Sequence, residues 1–172
     1  MLAVSACGGG TGESSVEPMK PQTVELDWRE TASLQKRPVF EFEVESIRFQ
    51  PRRWTVRGSV TNRSPVRFSI LAPEGIEILE EAKQDWTWFG LTWTANARNA
   101  RIAHAETYRP ALPKVMEPGQ TWRGAFSGPT FAVRGRPIRV TFGVFVPRSA
   151  PPRHYPAQIR WITDHYVFVD DV

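Results

Sequence analysis

From Val24 onward the hydrophobic residues return at every second position, the period of a strand with one buried and one wet face. Val24, Leu26 and Trp28 alternate with Glu25 and Asp27, which predicts a short strand, followed by a loop over Arg29 to Pro38. Phe40, Phe42 and Val44 alternate with Glu41, Glu43 and Glu45. Past Ser46 the apolar parity moves to Ile47 and Phe49, which predicts a bulge or a second buried face. After a turn at Gln50-Pro51, Trp54, Val56, Gly58 and Val60 resume the alternation as far as Asn62. Asn62-Arg63-Ser64-Pro65 supplies turn chemistry, and Val66, Phe68 and Ile70 form the next strand. Further strands are expected at Ile76 and Ile78, across the aromatic run Asp85 to Thr94, from Thr121 to Phe126, and near Ile159 to Val169. The clearest late strand is Ile138 to Val146, in which Ile138, Val140, Phe142, Val144 and Val146 share a face. The stretch Ala95 to Ala105 fits a short helix or a long loop. About eight or nine short strands separated by turn signals argue an all-β fold, a single antiparallel β-sandwich. The 15 prolines agree, because nearly all lie between the proposed strands, where a missing backbone donor does no harm.

Composition narrows the class. At 172 residues, with 41% hydrophobic and 23% charged residues, the chain suits one core. The single cysteine, Cys7, has no partner, which excludes an internal disulfide framework and a Cys-based zinc site. No apolar run approaches the roughly 20 residues of a membrane-spanning helix. Cys7 carries a different signal. Val4-Ser5-Ala6-Cys7 resembles the bacterial lipobox, an aliphatic residue and two small residues before a cysteine. That resemblance implies a diacylglycerol on the Cys7 thiol, cleavage before it, and a membrane-anchored, extracytoplasmic protein at the cell surface or in the periplasm. Gly8, Gly9, Gly10, Gly12, Ser14 and Ser15 then make a flexible spacer. A secretory signal carries a basic region and an apolar stretch of about 7–15 residues. Only six residues precede Cys7, so the reading carries the expectation that the gene starts upstream of Met1. Residues 1–22 are expected to be lipobox remnant and linker, and residues 23–172 the sandwich domain.

Two further stretches resemble bacterial extracytoplasmic immunoglobulin-like domains. Trp54-Thr55-Val56-Arg57-Gly58-Ser59-Val60-Thr61-Asn62-Arg63-Ser64 is similar to their hydrophobic strand ending in a V-x-N-x-S turn. Glu117-Pro118-Gly119-Gln120-Thr121-Trp122 is similar to their P-G-[EQ] turn opening a late strand. The resemblance spans most of Phe40 to Val169 and implies an immunoglobulin-like sandwich serving as a binding or spacing module.

Catalytic and metal-ligating patterns are sparse. His104, His154 and His165 show no metal-ligand spacing. Asp164 and His165 are adjacent in the last predicted strand, which would point them to opposite faces. Ser33-Leu34-Gln35-Lys36 matches S-x-x-K without the S-D-N and K-T-G motifs that accompany it in penicillin-interacting enzymes, and reads as surface loop. No cofactor, metal site or catalytic residue is assigned, and the chain is expected not to be an enzyme.

Two surface features are candidates for binding. The formal net charge is +4, with arginines scattered along the strands. Arg53 and Arg57 fall opposite Trp54 and Val56, and Arg67 opposite Phe68. If the preceding strand pairs antiparallel, Glu43 and Glu45 come near Arg57, and cross-strand ion pairs absorb the charge. The alternative is an electrostatic stripe for lipid head groups, wall polymers or acidic glycans; nucleic acid is not expected, since an exported chain seldom meets it. Trp86 and Trp88 share one strand face, opposite Phe89, Leu91 and Trp93. Buried, they are inter-sheet core; exposed, they are a platform for sugar rings. The expected function is a membrane-anchored, non-catalytic binding or structural interaction module that meets envelope proteins or anionic wall polymers. The alternative is a glycan-binding accessory protein or small hydrolase of the envelope, which requires a cleft with converging polar groups.

Overall fold

The computed structural model describes residues 21–70, 87–94, 100–131, 135–148, 153 and 155–169. Cys7, the spacer, Ile76, Ile78, Trp86 and His154 lie outside them.

The described chain is all-β, two antiparallel sheets packed face to face as a sandwich. The first sheet runs β1 (Gln22–Leu34), β2 (Arg37–Gln50), β3 (Arg53–Asn62), β9 (Thr121–Pro129) and β7 (Thr107–Arg109) in spatial order. The second runs β6 (Ile102–His104), β5 (Gly90–Thr92), β10 (Pro137–Pro147), β4 (Phe68–Ser69) and β8 (Val115–Met116). Two short strands, β11 (Ile159–Ile162) and β12 (Val167–Phe168), also pair with β10. The chain passes from the first sheet to the second after β3, after β7 and after β9. Because β3 and β9 are antiparallel neighbours, the passages that follow them leave the first sheet at its opposite ends and tie the layers together at both.

The alternation places the core as read. Phe40, Phe42, Val44, Trp54, Val56, Val60 and Phe126 of the first sheet face Ile138, Val140, Phe142 and Phe145 of the second, all buried. Phe89 is central, in edge-to-face contact with Tyr108, Trp122, Phe126, Phe142 and Phe145, a geometry that sets positive ring edges on negative faces. The parity change after Ser46 is a β-bulge: the β2 to β3 register skips Glu45 between the pairs Val44 with Gly58 and Ser46 with Arg57. Gly58 is needed there, because a Cβ would stand 2.2 Å from the Glu43 carbonyl oxygen.

Several expectations are corrected. The loop expected over Arg29 to Pro38 is strand: β1 continues to Leu34 and turns in two residues, Gln35 and Lys36, into β2. The S-x-x-K residues therefore lie on a strand end and its turn. Both turn residues have positive φ, 50° and 65°, the signature of a type I′ hairpin whose twist matches its strands. Among the described residues the aromatic run Asp85 to Thr94 contributes strand at Gly90–Thr92, and the described part of Ala95 to Ala105 contains β6. The shared face of Ile138 to Val146 breaks at Gly143. Val144 is buried but lies outside the main core, and Phe145 takes the inward position. The last strand is two short ones, with Asp164 and His165 in the connection between them. Period two is local information, whereas a bulge or a break is forced by what a strand must pair with elsewhere.

Candidate functional site

The outward face of the first sheet is divided by charge. Toward one end Glu41, Glu43 and Glu45 of β2 are matched. Arg123 Nη2 donates to Glu43 Oε2 at 2.6 Å and its Nη1 to Glu45, Arg29 lies 3.5 Å from Glu43, and Arg63 donates to Glu41 at 2.6–2.7 Å. Toward the other end the rows of paired residues read Arg48, Thr55, Ser127, Thr107 and then Ser46, Arg57, Ala125, Arg109. No carboxylate on the three central strands interrupts those rows; Glu25, paired to Ser46, flanks them on edge strand β1. Among the described residues Arg48, Arg57 and Arg109 form no ion pair.

The expected partnership of Arg57 with Glu43 and Glu45 does not form. The bulge skips Glu45 and sets Ser46 opposite Arg57, while Glu43 faces Ser59, whose hydroxyl donates to it at 3.1 Å. Arg123, from the strand on the far side of β3, takes both carboxylates. Arg53 reaches along the face to hydroxyls, donating to Thr107 Oγ1 at 3.2 Å and Ser127 Oγ at 3.0 Å, which keeps its charge uncompensated. Arg67 is withdrawn from the candidates' common surface. It makes a two-point pair with Glu117, Nε to Oε2 at 2.7 Å and Nη2 to Oε1 at 2.5 Å. The hydrogen bond from Arg67, with its charge, holds the Glu117 carboxyl below the usual range against the opposing effect of desolvation. Of the sequence candidates, then, only Arg53 and Arg57 share a surface. Arg48 and Arg109 complete it. The parity change after Ser46 is the sequence signal for Arg48, whereas Arg109 sits on a short strand with no alternation to mark it.

The tryptophan candidates divide as well. Phe89 and Leu91 enter the main core and Trp93 packs against its margin. Trp88 is on the opposite side, 8% exposed, with the Arg160 guanidinium 4.4 Å from its ring centroid. Its face is therefore covered by a cation–π contact and is not a free platform in this structure. Trp86 lies outside the described residues.

A second constellation has no sequence pattern to announce it. Glu30 sits on the inward face of β1, its side chain only 7% exposed. Its Oε2 accepts from Trp161 Nε1 at 2.8 Å, and its Oε1 accepts from the His165 backbone at 3.0 Å and lies 2.8 Å from His165 Nδ1. Trp28 stacks on the His165 ring, centroids 5.6 Å apart. Burial pushes the Glu30 carboxyl upward, but donors from His165, Asp164 and Trp161 outweigh it and leave the group below its ordinary value. Among the described residues no hydroxyl or thiol bonds to the His165 ring, so the orienting half of a triad is present without a nucleophile. Beside Trp161 a shallow groove of about 230 Å³ is lined by Ala32, Leu34, Val39, Pro156, Ile159 and Arg160 among others. Its lining is largely apolar, and the Glu30 carboxylate is committed to the latch beside it. No group of three or more His, Cys, Asp and Glu side chains among the described residues is placed to hold a metal ion. Comparisons with family models, with curated proteins and with solved structures found no match.

Proposed function

We propose that the chain is an envelope lipoprotein, anchored outside the cytoplasm by a diacylglycerol on Cys7, whose sandwich is a non-catalytic interaction module. The observation that supports the second half is the outward surface on which Arg48, Arg53, Arg57 and Arg109 stand without carboxylate partners among the described residues. Elsewhere on the same face Glu41, Glu43 and Glu45 are neutralised, so the segregation leaves an excess of positive charge over half a sheet, with Glu25 on its edge. Such a field draws anionic partners and weakens with salt. The Thr55 hydroxyl lies among the guanidinium groups and adds a neutral donor for phosphate, sulfate or carboxylate oxygens, while the Thr107 and Ser127 hydroxyls bond each other and hold Arg53 in place. The sequence at Val4–Cys7 supports the tether.

Retention on heparin, a generic polyanion, tests the module. Wild-type protein should be retained at low ionic strength and released by salt, and an Arg48→Glu/Arg57→Glu double variant should elute at clearly lower salt with its melting temperature within a few degrees of wild type. Absence of salt-sensitive retention, or unchanged elution of the variant, overturns the assignment. For the tether, detergent-phase partitioning that is lost in Cys7→Ser is expected; equal partitioning of the two counts against acylation.

A further inference from the structure

The end of the sandwich at which the tether arrives has a composition of its own. Gln22 opens β1 opposite Phe49, Phe49 pairs with Trp54, and Trp54 with Gly128, so these positions lie at one end of the first sheet. Thr130 extends that end, its backbone N–H donating to the Arg52 carbonyl at 3.2 Å and its hydroxyl to the Gln50 carbonyl at 2.8 Å. The next residue, Phe131, packs on Trp93 with ring centroids 5.2 Å apart, and the Arg136 guanidinium sits 5.5 Å from the Trp93 ring. Pro137 follows and pairs with Phe168. Phe168 and Tyr166 are the large hydrophobic residues most open to solvent among the described residues, 58% and 50% exposed. They meet edge to face, and Arg139 lies 5.2 Å from the Tyr166 ring.

One end therefore gathers exposed or half-buried Tyr166, Phe168, Trp93 and Phe131 with Arg52, Arg53, Arg136 and Arg139. Rings at this level of exposure, surrounded by arginines, match the head-group layer of a bilayer, where aromatic side chains partition and basic ones meet anionic lipid. Among the described residues Arg48, Arg52, Arg53, Arg136 and Arg139 outnumber the acidic groups near them, Glu25, Glu106 and Asp164. The unpaired arginines of the first sheet begin on the same end, which makes the two surfaces continuous. Fourteen residues, Gly8 to Pro21, separate Cys7 from β1. A Gly/Ser-rich linker of that length would average about 20 Å end to end, short enough to hold this end against the surface that anchors it.

We infer that this end of the sandwich docks onto an anionic lipid bilayer, with Tyr166 and Phe168 entering the interface and the arginines meeting lipid phosphates. The inference rests on the proposed membrane tether but is tested without it. Full-length Cys7→Ser protein, which cannot be acylated, is sedimented with vesicles of phosphatidylcholine alone and of phosphatidylcholine with about one-third phosphatidylglycerol. Salt-sensitive binding to the second and not the first is expected, and Tyr166→Ser/Phe168→Ser should weaken it by about tenfold or more while heparin retention is kept. The substitution Phe168→Trp should retain binding and add quenching by brominated lipid beyond that of the natural tryptophans, which controls for a folding defect in the double variant. No binding to the anionic vesicles, equal binding to both kinds, an unaffected serine variant, or no added quenching with Phe168→Trp overturns the docking. Equal detergent partitioning of wild type and Cys7→Ser overturns only the tether, so the two failures are distinguishable.

Discussion

Asn62 shows how one residue can fix a corner of a sandwich. It is fully buried, and each of its polar groups is satisfied. Nδ2 donates to the Val66 carbonyl at 2.7 Å and the Met116 carbonyl at 3.2 Å, and Oδ1 accepts from the Ser64 N–H at 3.0 Å and hydroxyl at 2.9 Å. Its backbone N–H donates to the Gln120 carbonyl, and its carbonyl accepts from Gly119 N–H. The V-x-N-x-S and P-G-Q stretches, far apart in sequence, are thus two halves of one hydrogen-bonded corner where β3 crosses toward β4. Gly119 belongs there because its φ of 78° is reached at little cost only without a Cβ. Replacing Asn62 by Ala strands buried donors and acceptors that water cannot reach. A loss on the order of 2–4 kcal/mol is expected. Urea denaturation would show it as a lower midpoint at unchanged slope, and a loss under about 0.5 kcal/mol would mean that the network contributes no more than a surface contact.

Among the elements, the β1–β2 hairpin is the largest paired unit, with β1 on the open edge of its sheet. Long edges invite unwanted pairing, and here charged Glu25, Asp27 and Arg29 and the register irregularity between Glu25 and Trp28 blunt that edge. The hairpin turns through Gln35 and Lys36, neither of which favours positive φ, whereas Asn followed by Gly does. The substitution Gln35→Asn/Lys36→Gly should therefore stabilise the chain by about 0.5–1 kcal/mol, raising the melting temperature by roughly 1–4 °C. Thermal unfolding followed by circular dichroism decides it; a lower midpoint would show that another turn connects the strands.

Across the whole molecule, the two sheets are joined at the edge near β1 by the Glu30 latch, which binds positions 135 residues apart. Because the folded Glu30 value is lowered, the latch contributes stability that is fully present above the unfolded value of 4.5 and is lost as pH falls through the folded value. Glu30→Gln should destabilise by about 1–3 kcal/mol at neutral pH, since an amide cannot accept from donors on both of its ends. The difference from wild type should shrink at pH 3. A difference equal at both values would sever the latch from the titration. The exterior is organised over the same span, with ion-paired carboxylates on one half of a sheet and bare arginines on the other, running toward the aromatic end where β1 begins.

Read residue by residue, the chain already dictates the class of fold, most strand positions, the inward set of Phe40, Phe42, Val44, Trp54, Val56 and Val60, the parity change at the bulge beside Ser46, and the opposition of Trp88 to Phe89 and Leu91. All of these are period-two facts about neighbouring residues, which side-chain alternation records locally. Partners were chosen by packing between elements. Whether Arg57 or Arg123 reaches Glu45 depends on register across a bulge. Arg67 is claimed by a turn 50 residues away, and His165 could reach Glu30 only because the last predicted strand is broken in two. Pairing is a long-range choice among many registers of similar local pattern, so the alternation that names a strand leaves its neighbours, and hence its exposed charge, to be settled in three dimensions.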